Sequence, residues 1–470
     1  MNRLRPDWKL DTENDNSNFD LSLEICWGML GVCVTFFVAL LLCPILLCVA
    51  FEWQRRRKAQ QLNRVVSELP VQFVLLEALV RFVVQPLLRR TLHTPTADEV
   101  IAAARLSTGL TEFRDEPMVR RQLDVFCAAL RRPCMNFVGR LHLARNLVNC
   151  TSQNLRLSAR LAAGTRVQLP RALFIVGMPR SGTTRLFHLL GLDRRAATTP
   201  YWELHSPLPP PGRDFERDER AVKMRAVIKQ APHSRLMQFH QFGADVPEED
   251  QLLFLHSLVF HCAFACIGDA GMDAAWQSQR VDAALMAQVT LEHRVLLEAI
   301  FENRALPEDA HLVFKSTVHG EFLPQLVAQW PDAVFVQTHR PAPAALKSFA
   351  WLQMCIADLY VRHSDAPSLG ARVAAEQLQH LTALKRYRQS LAPNDERRRF
   401  VDVDFADINR DPIGVIERIY THFGMALTDD HRSAMQAHLR AHPSTSSATT
   451  FDGAMFKLDD TRIAEQFSGL

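Results

Sequence analysis

The chain has 470 residues and a mass of 53.4 kDa, enough for one large domain or two ordinary ones with a sizeable core. A net charge of +3 with 22% charged residues gives no reason to expect nucleic acid as a partner. The ten cysteines show no CxxC or zinc-ligand spacing, so they read as buried free thiols, which fits a reducing compartment rather than a disulfide framework.

Residues 1–24 form a polar, acidic tail. Residues 25–51 then run for 27 positions without a charge and predict a transmembrane helix, since about 20 apolar residues cross a bilayer. Arg55, Arg56, Arg57, Lys58 and Arg64 follow the span, whereas Lys9 is the cation within reach before it. The positive-inside rule therefore places the C-terminal bulk in the cytoplasm. Residues 52–165 read as a helical membrane-proximal region, with apolar positions at spacings of three and four. Within it, residues 70–92 are apolar enough either to lie on the membrane surface or to pack on the main domain. Asn149-Cys150-Thr151 matches a glycosylation triplet, which a cytoplasmic domain would not use.

From residue 166 onward the pattern changes to short apolar strands at 172–176, 312–315, 333–339 and 400–403, separated by helical sequence. That order predicts an α/β domain over 166–470, a mostly parallel central sheet flanked by helices, with ligands gathered at the C-terminal ends of the strands. The stretch LFIVGMPRSGTTR at 173–185 reads as strand, phosphate loop and helix. Its first helical turn aims unpaired N–H groups and the positive end of the helix dipole at the loop, which suits an anion. The spacing from Gly177 to Gly182 copies the P-loop of nucleotide-binding proteins, but Thr183 stands where the triphosphate-binding lysine would be and the basic residue is Arg180 inside the loop.

The run Met178-Pro179-Arg180-Ser181-Gly182-Thr183-Thr184 resembles the first motif of the sulfotransferases that use 3′-phosphoadenosine 5′-phosphosulfate (PAPS). The resemblance covers roughly residues 165–470. It implies that Arg180, Ser181, Gly182, Thr183 and Thr184 hold the 5′-phosphosulfate, with Arg180 balancing charge on the leaving phosphate. The second family motif is matched by Arg340 at the end of the strand 333–340 and Ser348 on the next helix, and it implies a site for the 3′-phosphate. Two residues are candidate bases for the acceptor proton. Glu203 resembles the catalytic glutamate of several branches, whereas His319, with Lys315 before it, resembles the Lys and His of the cytosolic branch. Lys315 and His319 are four residues apart rather than two, so the carry-over is safer for Lys315, as a contact to the donor.

Glu248 and Glu249 open an expected apolar helix over 251–266, where acids suit the dipole and also an acceptor-binding role. That helix reads as core, as a wall for a greasy acceptor, or as both. His256 and His261 lack partners at ligand spacing and His438 and His442 lack the Glu of HExxH, so no metal is expected. The resemblance thus implies transfer of a sulfuryl group from PAPS to an acceptor hydroxyl. The membrane anchor favours an apolar or lipid-linked acceptor. A PAP-binding scaffold without activity and a P-loop kinase stay open, as does a Golgi-lumenal placement, because many single-span sulfotransferases face that way.

Overall fold

The computed structural model of the chain describes residues 94–214, 216–230, 242–259, 270–362, 364–442 and 453–470. The expected tail, the span at 25–51 and the apolar stretch at 70–92 lie outside the described residues. Among the described residues, no helix is long and apolar enough to cross a membrane.

Three helices come first, each started by a side-chain cap. Helix α1 (Ala97–Thr108) begins with a capping box between Thr96 and Glu99 and stops at Gly109, in the left-handed region at φ 68°. The N-cap of α2 (Glu116–Leu130) is Asp115, and that of α3 (Phe137–Ala162) is Asn136. Val100, Ile101, Leu123, Phe126, Leu143 and Leu147 close a separate apolar cluster between them. Helix α3 also buries an unusual polar stripe, Thr151, Ser152, Gln153, Asn154 and Ser158. Gln153 bonds both the N–H and the carbonyl of Leu208, and Asn154 donates to the carbonyl of His256.

The α/β part follows as β1 (Ala172–Gly177), α4 (Thr183–Leu190), β2 (Ala196–Ala197), α5 (Tyr201–His205) and α6 (Glu219–Gln230). A 3₁₀ helix at Asp250–Ser257 precedes α7 (Ala270–Arg280), α8 (Ala283–Phe301) and β3 (His311–Lys315). Then come α9 (Leu323–Gln329), β4 (Val334–His339), α10 (Ala342–Tyr360), α11 (Ala366–Ser390), α12 (Pro393–Arg399) and β5 (Phe400–Asp404). Helices α13 (Phe405–Arg410), α14 (Pro412–His422), α15 (Asp429–Ala441) and α16 (Asp460–Gln466) complete the described chain. All the strand pairings are parallel, in the order β2-β3-β1-β4-β5.

The central strands are apolar on both sides because both faces are covered. Leu173 and Ile175 of β1 meet α4 and α14 through Leu186, Leu190, Ile416 and Ile419. Phe174 and Val176 point the other way, among Leu296 and Ile300 of α8, Leu326 of α9 and Leu384 of α11. The four expected strands are present to within a residue at each end, and the two-residue edge strand β2 adds a fifth.

One expected helix is corrected. Residues 251–266 do not run as an α-helix from the start: the segment is 3₁₀ over Asp250–Ser257, and Leu258 then turns left-handed at φ 56°. The His256 carbonyl is taken by the Asn154 amide and the Leu258 N–H turns back to Leu255, so helical bonding stops there. Residues 260–269 lie outside the described residues.

Candidate active site

The loop after β1 is shaped by close backbone approach. Gly177 has φ 124°, and a Cβ there would meet the Thr338 carbonyl oxygen at 2.6 Å, so only glycine lets β1 end against β4. Ser181 has its hydroxyl on the Met178 carbonyl at 2.5 Å and on Thr338 Oγ1 at 2.6 Å, so it staples the loop to β4. Gly182, at φ 91°, starts α4 without a side-chain cap, and the first N–H groups of that helix are left to the loop. Arg180 sits at φ 66°, an uncommon conformation for a residue with a side chain, and this turns its guanidinium toward α10.

Three sequence-predicted residues converge there. Arg180 Nε donates to Ser348 Oγ at 3.1 Å, and Arg340 Nη1 donates to the Arg180 carbonyl at 2.6 Å. The Arg340 guanidinium also lies 4.2 Å from the centre of the Phe405 ring, which fixes its plane. Burial lowers the pKa of both guanidinium groups from their ordinary value, and Arg340 adds repulsion at Arg180. Two crowded cations beside an uncapped helix start form a site whose charge balance calls for an anion.

A second cluster stands at the end of β3. Lys315 Nζ donates to Thr184 Oγ1 of the loop helix at 3.2 Å and to Glu249 Oε1 at 2.6 Å. The next residues follow suit: Ser316 Oγ donates to Gln251 Oε1 at 3.1 Å, and His319 Nε2 is 2.6 Å from Asp250 Oδ2. Glu249 is the N-cap of the 3₁₀ helix yet makes no cap bond, because its carboxylate is on Lys315. Of the expected acids, Glu249 is thus used for a contact across the sheet end, whereas Glu248 is buried and accepts from the Glu249 N–H at 2.9 Å.

Both predicted bases lie inside the protein. Glu203 is 1% exposed and its carboxylate is held by Arg304, whose Nη1 also bonds the Thr198 carbonyl at 2.9 Å. Burial pushes the Glu203 carboxyl up to about 7, with Arg304 opposing. His319 is also 1% exposed, packed edge-on against Phe174 and Phe254 and bonded to Asp250. The carboxylate that meets Lys315 is Glu249.

Asp250, His293, Gln251, Thr338 and Phe405 take part in these clusters, and sequence reasoning missed those roles. Their partners stand 43 to 69 residues away for Asp250 and 65 for Gln251, without any local spacing to mark them. Asp250, His293 and His319 are a buried group of metal-ligand type. Their donor atoms meet at hydrogen-bond separations of 2.9 and 2.6 Å, shorter than the ~3.3 Å between ligands of a tetrahedral zinc with bonds of ~2.0 Å.

No curated protein matches the chain. The solved structure of sulfotransferase STF1 from Mycobacterium tuberculosis H37Rv is 25% identical, with a TM-score of 0.66 over 80% of this chain and 99% of that one. Sulfotransferase STF9 from Mycobacterium avium shares the fold at 21% identity, with a TM-score of 0.68 over 80% of this chain and 96% of that one. The family profile described as "Sulfotransferase family" matches residues 170–429, more than half the sequence and the whole of the sheet, so this chain is a transferase that belongs to the sulfotransferase family.

Proposed function

We propose that the enzyme moves the sulfuryl group of PAPS to an acceptor hydroxyl, with Glu249 as the base. The observation that carries this reading is the meeting of Lys315, Thr184 and Glu249 at the mouth of the phosphate loop, next to the Arg180, Arg340 and Ser348 cluster. The N–H groups at the start of α4, Thr183, Thr184 and Arg180 would hold the 5′-phosphosulfate. Arg340 and Ser348 would hold the 3′-phosphate, with the flat guanidinium kept in plane by Phe405.

The bound donor supplies an electrophilic sulfur: the acceptor oxygen bonds to it as the sulfur–oxygen bond to phosphate breaks, releasing PAP. Glu249 takes the acceptor proton, and Lys315 and Arg180 balance the charge that builds on the transferred and departing oxygens. Geometry favours Glu249 because its carboxylate is partly exposed and faces the loop helix through Lys315. One observation favours Glu203 instead: its carboxyl near 7 suits a base at neutral pH, although it is enclosed with Arg304.

The span at 25–51 and the basic flank after it support a membrane-anchored enzyme with its catalytic domain in the cytoplasm, and hence an apolar or lipid-linked acceptor. The test is an untargeted comparison of sulfated metabolites in cells with and without the protein, repeated with single variants. Arg180→Ala and Arg340→Ala should nearly abolish the new sulfated products. Glu249→Gln should lower turnover by about 100-fold or more, the size of a general-base effect. Near-wild-type turnover in Glu249→Gln together with loss in Glu203→Gln would transfer the base to Glu203. Tight PAP binding with no sulfated product would support a scaffold, and binding of ATP with magnesium in place of PAP would support a kinase.

A further inference from the structure

Three consecutive side chains at the start of the 3₁₀ helix reach one short stretch after β3. Glu249 bonds Lys315, Asp250 meets His319, and Gln251 accepts from Ser316. Successive residues of a helix do not face the same way, so a backbone that sends three of them to one neighbour must be held in place. Asp250 has the means to hold it. It is fully buried, and a single oxygen, Oδ2, meets His319 Nε2 at 2.6 Å and His293 Nε2 of α8 at 2.9 Å. The two rings are themselves wedged edge-on around Phe254, with centroids at 5.3 and 5.8 Å. A buried carboxylate is costly unless its donors are fixed, and here both come from elements packed into the core. Asp250 makes no direct bond to the phosphate loop, but its neighbour Glu249 stands on Lys315 beside Thr184.

We propose that Asp250 is a positioning residue: clasped by His293 and His319, it fixes the backbone at 249–251 so that Glu249 faces the sulfuryl end of the donor. This rests on the reading of Glu249 as the acceptor base. Among the described residues, neither Nδ1 of the two histidines has a hydrogen-bond partner, whereas a metal-bound imidazole usually has its outer nitrogen held. The group is therefore a clasp of hydrogen bonds.

Calorimetric titration of the full-length protein with PAP and with PAPS, without any acceptor, tests this. The two ligands differ by the sulfuryl group, so the ratio of their affinities reports what faces it. Glu249→Gln removes a negative charge there and should raise PAPS affinity relative to PAP by about tenfold. Asp250→Asn should give the same shift with PAP affinity unchanged, and the double variant should shift no further, because Asp250 acts through Glu249. His319→Leu keeps the Asp250 charge and should repeat the shift, which covers the case in which Asp250→Asn does not fold. His319→Gln, whose amide reaches the place of Nε2, should restore the wild-type ratio. No shift in Glu249→Gln would overturn the base reading together with the clasp. A shift in Glu249→Gln with none in Asp250→Asn or His319→Leu, or additive shifts, would overturn the clasp alone. Equal weakening of PAP and PAPS, or one equivalent of zinc retained on purification, would also overturn it.

Discussion

Arg340 shows how much a single residue asks of its surroundings. It directly follows β4, its Nη1 bonds the Arg180 carbonyl, and its face is stacked on Phe405. Burial disfavours its charge, so its guanidinium would gain by pairing with a phosphate. A lysine would keep the charge but lose the fork and the stacking plane. Arg340→Lys should therefore weaken PAP by about 1.5–3 kcal/mol, the worth of hydrogen bonds to a charged group. Calorimetry would read this as a loss of at least tenfold, and an unchanged affinity would remove Arg340 from the 3′-phosphate site. Gly177 makes the complementary point, since any side chain there would collide with Thr338 and push the loop off β4.

At the scale of elements, β1, β3 and β4 were legible because each is a short apolar run buried on both faces, β5 because Phe400 and Val403 are its buried positions, and the loop because glycine and arginine stand at fixed spacing. Glu203 and His319 were offered as bases by the resemblance to the family's motifs, and their burial is what a motif could not supply. The polar stripe of α3 was equally hidden, because Gln153 and Asn154 bond backbone at Leu208 and in the 3₁₀ helix at His256, more than 50 residues away. The stripe also bears on the glycosylation triplet. Asn149 lies within α3 with its amide on the His205 carbonyl at 2.7 Å, and Thr151 is fully buried. In the folded helix the triplet is thus closed, so it gives no reading of sidedness. The expected span at 25–51 and its basic flank carry that question instead. Protease added to sealed vesicles should digest the catalytic domain without detergent if it faces the cytoplasm, whereas full protection would place it in a lumen.

At the scale of the molecule, histidines and acids of the described residues whose pKa values are shifted by burial act in opposite senses, and their balance sets the response to acid. Burial lowers His205, His256 and His311 to about 4 and His380 to about 3, from an ordinary value of 6.5. These four stay neutral in the fold, whereas the unfolded chain protonates them below 6.5, so their contribution is lost as pH falls from 6.5 toward 4. Glu203 and Glu321 act in the opposite sense. Burial raises both to about 7 from 4.5, so the fold binds protons that the unfolded chain releases, and acid favours the fold between 7 and 4.5. Burial also lowers His142, His293 and His438, which act with the first group, and raises Glu292 and Glu376, which act with the second. Four groups against two leave a net excess of two protons on the unfolded chain, a slope of about 2–3 kcal/mol per pH unit between pH 6 and 5. That is a large share of the roughly 5–15 kcal/mol that holds a domain together. The thermal midpoint should therefore drop steeply from pH 6.5 to pH 5, and a flat or rising midpoint would sink the account. Two of the four histidines also adjoin the site: His256 Nε2 lies 2.8 Å from the Leu204 carbonyl, within the helix that carries Glu203, and His380 packs against Gly320, next to His319. PAP affinity should consequently fall over the same interval as the midpoint rather than outlast it.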